Sequence, residues 1–171
     1  MELPGFQEFV AVRYAQLLRT GYLLTGSREA AEDLVQHALL TTMRRWATVT
    51  DPLAYVRRAM VNRRTSLWRR VGARELLTAA PPPGSVADGT AGRADRDELM
   101  RALRTLPARM RAVLVLRYWE DLSEAETAAA LGCSVGTVKA QASRGLARLR
   151  VVLRPEPVRH LGGQAWAGRM P

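Results

Sequence analysis

Residues 122–150 read LSEAETAAALGCSVGTVKAQASRGLARLR, two short helical patterns on either side of a Gly-containing turn. Ser123 is placed to cap the first helix, and Glu126, three residues on, reaches back to the amide of the cap. The Gly132-Cys133-Ser134 step predicts its end, with Ser134 capping the second helix and Cys133 spaced to pack on Val138. Within that second helix Val135, Val138, Ala142, Leu146 and Leu149 fall in a narrow arc at 3.6 residues per turn, which predicts one buried stripe. Thr137, Ala140, Gln141, Ser143, Arg144 and Arg148 point the other way, with Lys139 on the flank, and no acid occurs between Ser134 and Arg154. A solvated face usually mixes charge signs, so this unit reads as a helix-turn-helix whose second helix suits a DNA major groove. There Arg pairs with guanine, Gln with adenine, and small residues permit close approach.

The rest of the composition agrees. The formal net charge of the 171 residues is +10, which favours a polyanionic partner, and 47% hydrophobic content excludes disorder throughout. Only Lys139 among the 26 basic residues is not Arg, which suits phosphate and guanine contacts. Cys133 is the only cysteine, so an internal disulfide and a cysteine-based zinc site are both excluded. His37 and His160 belong to no metal-ligand spacing, and no metal or cofactor is expected. No apolar run approaches the roughly 20 residues that span a bilayer, and the start MELPGFQEF carries no basic region followed by an apolar core. A cytoplasmic protein is the expectation.

Periodicity is lost between residues 71 and 95, where AAPPPGSVADGTAG gathers three prolines with Gly84, Gly89 and Gly92. The pattern predicts an all-α chain: two small helical domains, residues 5–70 and 96–153, joined by a flexible Pro/Gly-rich linker at 71–95 and followed by a mobile tail at 154–171. In the first block Phe6, Phe9, Val10, Leu17 and Leu24 give a core-facing helix that Thr25-Gly26-Ser27 stops. A second helix carries Ala31, Leu34, Val35, Ala38, Leu39 and Trp46 on its apolar side, and its early acids suit the helix dipole. Asp51-Pro52 then starts a third helix, with Leu53, Val56 and Met60 on its core side.

From residue 57 to residue 74 this third segment carries Arg57, Arg58, Arg63, Arg64, Arg69, Arg70 and Arg74 without one acid. Like charges at helical spacing repel unless a polyanion neutralises them. Asn62 sits in the middle, flanked by Tyr55 and Trp68, a combination that offers base-edge hydrogen bonds and stacking surfaces to unpaired bases. No phosphate-binding Gly-rich loop, nucleophile with a base, or carboxylate cluster is present, so an enzyme is not expected.

Two such modules, the first carrying AEDLVQ followed by DPLAYVRRAMVNRR, resemble the group-four, extracytoplasmic-function sigma factors of the sigma-70 family. With FQEFVAVR, RWATVTDP and SVGTVKAQASRGLARLR the chain is most similar to the SigE-like actinobacterial branch. The resemblance implies a sigma region 2 at 5–70 and a sigma region 4 at 96–153. It implies core RNA polymerase as partner, with Glu32, Asp33 and Gln36 meeting the clamp of the largest subunit. The stretch LRTLPARMRAVLVLRYW would face the flap of the second-largest subunit. Promoter DNA would be read by Tyr55, Asn62, Arg63, Arg64, Thr65, Ser66 and Trp68 at a minus-10 element, where the strands are opened. Thr137, Lys139, Gln141, Ser143, Arg144 and Arg148 would read a minus-35 element. An anti-sigma protein is a further partner known in the family; a membrane or a small-molecule substrate is not implied. His37, Ala140, Gln141 and Ala142 depart from residues frequent in the family, so a minus-35 sequence does not transfer. The alternative is a two-domain helix-turn-helix regulator that binds operator DNA without polymerase.

Overall fold

Seven α-helices, one 3-10 turn and one π-helical turn account for the regular structure of the described residues, without a strand. The computed structural model describes residues 3–72 and 92–153, with side chains in 3–66 and 96–153. Helices α1 (Phe6–Thr25), α2 (Arg28–Met43) and α3 (Pro52–Gly72) form the first block. Helices α4 (Gly92–Arg104), α5 (Ala108–Leu114), α6 (Glu124–Leu131) and α7 (Val135–Val152) form the second, with the π-helical turn Val115–Trp119 extending α5. The all-α reading therefore holds. Most of the Pro/Gly-rich stretch and the whole of the tail at 154–171 lie outside the described residues; α4 starts at Gly92, ahead of the boundary expected at 96.

The local start and stop signals act as their chemistry dictates. Gly26 ends α1 in the left-handed region, Ser27 caps α2 through the amide of Ala30, and the Asp51 carboxylate accepts from the amide of Ala54 at the head of α3. One expectation fails: α2 stops at Met43, and Trp46 sits instead on the 3-10 turn Trp46–Thr48. Its ring packs against Phe6 and Phe9, with centroids 5.1 and 5.4 Å away, and its indole N–H donates to the carbonyl of Pro4 at 2.9 Å. That contact lies 42 residues back along the chain, where no helical periodicity reaches.

The two blocks are packed on each other. Leu17, Leu24, Val35, Val56 and Met60 of the first share one buried cluster with Val113, Leu116, Ala128, Leu131 and Val138 of the second. Burying each of the Leu, Val and Met side chains contributes about 1.5–3 kcal/mol, so the contact between blocks is a substantial part of the core. Two polar anchors fix its register. The Glu120 carboxylate, whose side chain is 1% exposed, accepts from Thr20 Oγ1, from Gln16 Nε2 at 3.2 Å, and from Arg57 through both Nε and Nη2. In return, second-block arginines satisfy the free carbonyls at the end of α1: Arg111 donates to Leu24 O at 3.2 Å, and Arg104 donates to Gly26 O. Removing one partner of a buried charge pair typically costs about 3–5 kcal/mol, because the other is left unpaired.

Within the second block, the stripe expected along α7 is shifted. Val138 is fully buried, Ala142, Leu146 and Leu149 are half-buried, and Val135 is 38% exposed on the first turn. The tightest approach is at Gly145, where a Cβ would lie 2.9 Å from Leu114 Cδ1 and 3.0 Å from Met110 Cγ. Glycine there lets α7 lie close on α5. Gly145→Val is expected to lose about 1–3 kcal/mol through overpacking, seen as a lower urea midpoint. Ala147→Gln, at an exposed position one turn face away, should stay within about 0.5 kcal/mol.

Candidate nucleic-acid interface

The helix-turn-helix is built by its caps. Ser123 accepts from the amide of Glu126 at 3.1 Å while Glu126 Oε2 accepts from the amide of Ser123 at 2.7 Å, a complete capping box. Gly132 takes a φ of 62°, the left-handed conformation that ends α6. Ser134 accepts from the amide of Thr137 at 3.1 Å and starts α7, and Cys133, half-buried, packs with the shared core. Of the residues expected to face DNA, Lys139, Ser143, Arg144 and Arg148 are exposed, and Thr137 and Gln141 are half-buried. Arg144 and Arg148 have no ion-pair partner among the described residues. Lys139 is drawn back towards α6 by Glu124, 3.5 Å away.

A second basic surface lies on the first block. A groove of about 590 Å³ is lined by His37, Thr41 and Arg45 together with Tyr55, Arg58, Ala59, Asn62, Arg63 and Ser66. It gathers four of the residues expected around Asn62, namely Tyr55, Asn62, Arg63 and Ser66. Thr65 instead donates its hydroxyl to Val61 O at 2.9 Å, and Arg64 turns inward to donate Nε to Leu24 O at 3.3 Å. Burial pulls the Arg64 guanidinium below its ordinary pKa, the mark of a side chain withdrawn from solvent. The Trp68 side chain lies outside the described residues. His37, Thr41 and Arg45 were missed as members of this surface because they reach it from α2 and the turn after it; Arg58, one turn before Asn62, was legible at i−4.

This groove continues into a cleft of about 530 Å³ between the blocks. Arg45, Thr48, Val49, Thr50, Asp51, Tyr55, Arg57 and Arg58 form one wall, and Leu122, Glu126, Ala129 and Ala130 of the second block form the other. An aromatic ring, guanidinium groups and a side-chain amide thus share one face. Such a face can hold a single strand by its phosphates while aromatic rings take its bases.

On α2, Asp33 and Gln36 are exposed, and Glu32, half-buried, accepts from Arg28 at 2.9 Å. Leu40 is 53% exposed and follows Asp33 and Gln36 at the i, i+3, i+7 spacing of one helix face. Its exposure could have been suspected from that spacing, since Leu39 beside it already fills the core position. The α2 surface is therefore acidic and polar with one apolar contact, opposite in sign to the grooves around Asn62.

Residues 96–149 match the family model of sigma-70 region 4. The chain is 45% identical over 152 residues to the RNA polymerase sigma-E factor of Streptomyces avermitilis, covering 87% of this chain and 85% of that protein. It is 32% identical over 154 residues to the ECF RNA polymerase sigma factor SigM of Mycobacterium tuberculosis, covering 87% of this chain and 77% of that one. The fold is similar to that of the sigma factor RpoE from Bartonella quintana, solved in complex with the anti-sigma factor NepR. There the TM-score is 0.72 at 24% identity, over 90% of this chain and 99% of that one. With a helix-turn-helix of region 4 type and relatives matched over most of their length, the chain belongs to the sigma factors of the sigma-70 family. Within it, the chain falls among the extracytoplasmic-function members, in the actinobacterial branch of sigma-E type.

The capping box carries a pH signature. Hydrogen bonds from the Ser123 side chain and amide hold the Glu126 carboxyl below its ordinary value of 4.5, and Arg57 across the cleft adds to this. A carboxyl depressed in the folded state stabilises fully above its unfolded value, and that stability is lost as pH falls through the folded one. The difference in melting temperature between the native chain and Glu126→Gln should accordingly be constant from pH 7 to about 5 and shrink below about 4.5. A difference unchanged down to pH 3 would remove the carboxylate from the cap.

Proposed function

We propose that the chain binds core RNA polymerase, directs it to promoters through both basic surfaces, and nucleates strand opening, the polymerase supplying all catalysis. The observation that carries this reading is the groove around Asn62. It joins an amide, an aromatic ring and three arginines, Arg45, Arg58 and Arg63, in a chain that also carries an acid-free recognition helix. Asn62, Arg63, Ser66 and Tyr55 would hold the opened minus-10 strand. In this reading Thr65 and Trp68 act beside them and Arg64 braces the helix from behind. Stacking of about 1–3 kcal/mol per base offsets the few kcal/mol that extruding a base costs.

Lys139, Gln141, Ser143, Arg144 and Arg148, with Thr137 at the head of α7, would read the minus-35 duplex in the major groove. Glu32, Asp33 and Gln36, joined by Leu40, would dock on the clamp of the polymerase largest subunit, and the second block would face the flap. Membership of the sigma-70 family supports these assignments, since its named relatives are RNA polymerase sigma factors. The competing operator-binding regulator is not favoured by those relatives. A cytoplasmic place follows from the proposed partners; among the described residues no helix is long and apolar enough to cross a membrane.

Run-off transcription with purified core polymerase tests the assignment. The native chain should give promoter-specific product, and Asn62→Ala should lower it about tenfold, with most of the loss recovered on a template whose minus-10 region is already mismatched open. Arg144→Ala should lower promoter affinity by about tenfold without that rescue. Product independent of the chain, or equal from both variants, would overturn the reading.

A further inference from the structure

The groove around Asn62 has two walls of different chemistry. Tyr55, Asn62 and Ser66 stand on α3 with Arg58 and Arg63, whereas His37, Thr41 and Arg45 come from α2 and the turn that follows it. The second set falls at i, i+4 and i+8, so it forms one row beside the face of Asp33, Gln36 and Leu40. Two turns of helix make that row roughly 11 Å long. Thr41 donates its hydroxyl to the carbonyl of His37 at 2.8 Å, which leaves His37 and Arg45 as the donors that face the groove. Both are exposed, and neither side chain has a hydrogen-bond or ion-pair partner among the described residues.

No acid lines this groove among the described residues. The charged and titratable groups that face His37 are Arg45 of the turn and Tyr55, Arg58 and Arg63 of α3, with Asp33 one turn back on its own helix. Imidazole is the side chain whose charge changes between about pH 5 and 8, so a proton on His37 adds a fourth positive group to the guanidinium groups of Arg45, Arg58 and Arg63. A strand phosphate in the groove supplies the opposite charge, and phosphate binding and proton uptake therefore favour each other. Amides and hydroxyls such as those of Asn62 and Ser66 do not titrate in that range. The row on α2 responds to pH, and the polar groups of α3 opposite it do not.

We propose that the row of His37 and Arg45 is the phosphate-holding wall of the groove, and that protonation of His37 tightens capture of the opened strand as pH falls. The ligand of this wall is the sugar-phosphate backbone of a single DNA strand, whose bases turn towards Tyr55 and Asn62 on α3. Helix α2 then has two duties on adjacent faces: Asp33, Gln36 and Leu40 towards polymerase, His37 and Arg45 towards DNA. This inference rests on the promoter-binding reading of the groove, and it adds to that reading a dependence of strand capture on pH.

The test uses holoenzyme assembled from the full chain and purified core polymerase. A fluorescent promoter duplex whose minus-10 region is mismatched open is titrated at about pH 5.5 and about pH 8, each at several salt concentrations. Between pH 8 and pH 5.5 the native holoenzyme should gain about fivefold more affinity than a His37→Gln holoenzyme gains, the size of one exposed ion pair. At the lower pH its plot of log affinity against log salt should be steeper than that of His37→Gln by about 0.7, the mark of one more single-strand phosphate contact. Arg45→Gln should flatten the native slope by about the same amount at both pH values. Equal pH gains for the native and His37→Gln chains overturn the proposal, and an unchanged slope for Arg45→Gln removes the wall. A pH difference between the two chains that appears already on assembly with core polymerase, without DNA, also overturns it, by placing His37 at the clamp. Failure of the parent reading shows differently, as run-off product at pH 8 that does not depend on the chain.

Discussion

A carboxylate with 1% of its side chain exposed must be given donors on every side, and Glu120 draws them from two helices that lie 63 and more residues earlier in the chain. The desolvation cost of burying an ion is repaid only when its geometry and hydrogen bonds are complete. Arg57, Thr20 and Gln16 together complete it. Their convergence fixes how the second block sits on the first, and the shared apolar cluster closes around that register. Apolar contacts alone tolerate sliding; a buried ion with named donors does not.

The same requirement works in reverse at the end of α1. Helix C-termini leave carbonyls without partners and carry a partial negative charge. Here Arg64, Arg104 and Arg111 converge on the carbonyls of Leu24 and Gly26. No acid neutralises this group among the described residues. Burial, with Arg64 and Arg104 adding repulsion, pulls Arg111 down to a pKa of about 10, and its Nε lacks a partner. It is still charged at neutral pH, so the helix end and the backbone oxygens carry the compensation. Arginine in this chain thus has two uses. Arg57, Arg64, Arg104 and Arg111 hold the fold together, whereas Arg45, Arg58, Arg63, Arg144 and Arg148 remain outward. Of these two groups only the second is exposed.

That division explains which parts of the interface were legible. The helix-turn-helix could be read residue by residue because its signals are local: Ser123 with Glu126, and Ser134 with Thr137, each act within one turn, and Gly132 acts at its own position. The exposed face of α7 followed from the same periodicity. Around Asn62 the sequence placed its candidates on one helix, and Tyr55, Asn62, Arg63 and Ser66 do share a groove. It could not say that Arg64 turns inward, since an arginine two positions from Asn62 differs from its neighbours only in what α1 presents to it. Nor could it find Arg45, Thr41 and His37, which join the groove from α2 and the turn after it. Gly145, in the middle of α7, is the place where that helix meets α5.

By itself, then, the sequence determined the helices, their caps, the acid-free basic faces and the family, because each depends on residues within a few turns or on short ordered motifs. The tertiary structure alone decided that the two blocks share a core, that Glu120 takes Arg57, and which arginines are left facing solvent. The physical reason is range. Capping and periodicity act over three or four residues, whereas desolvating a charge depends on everything packed around it, and Glu120 finds its partners 63, 100 and 104 residues away.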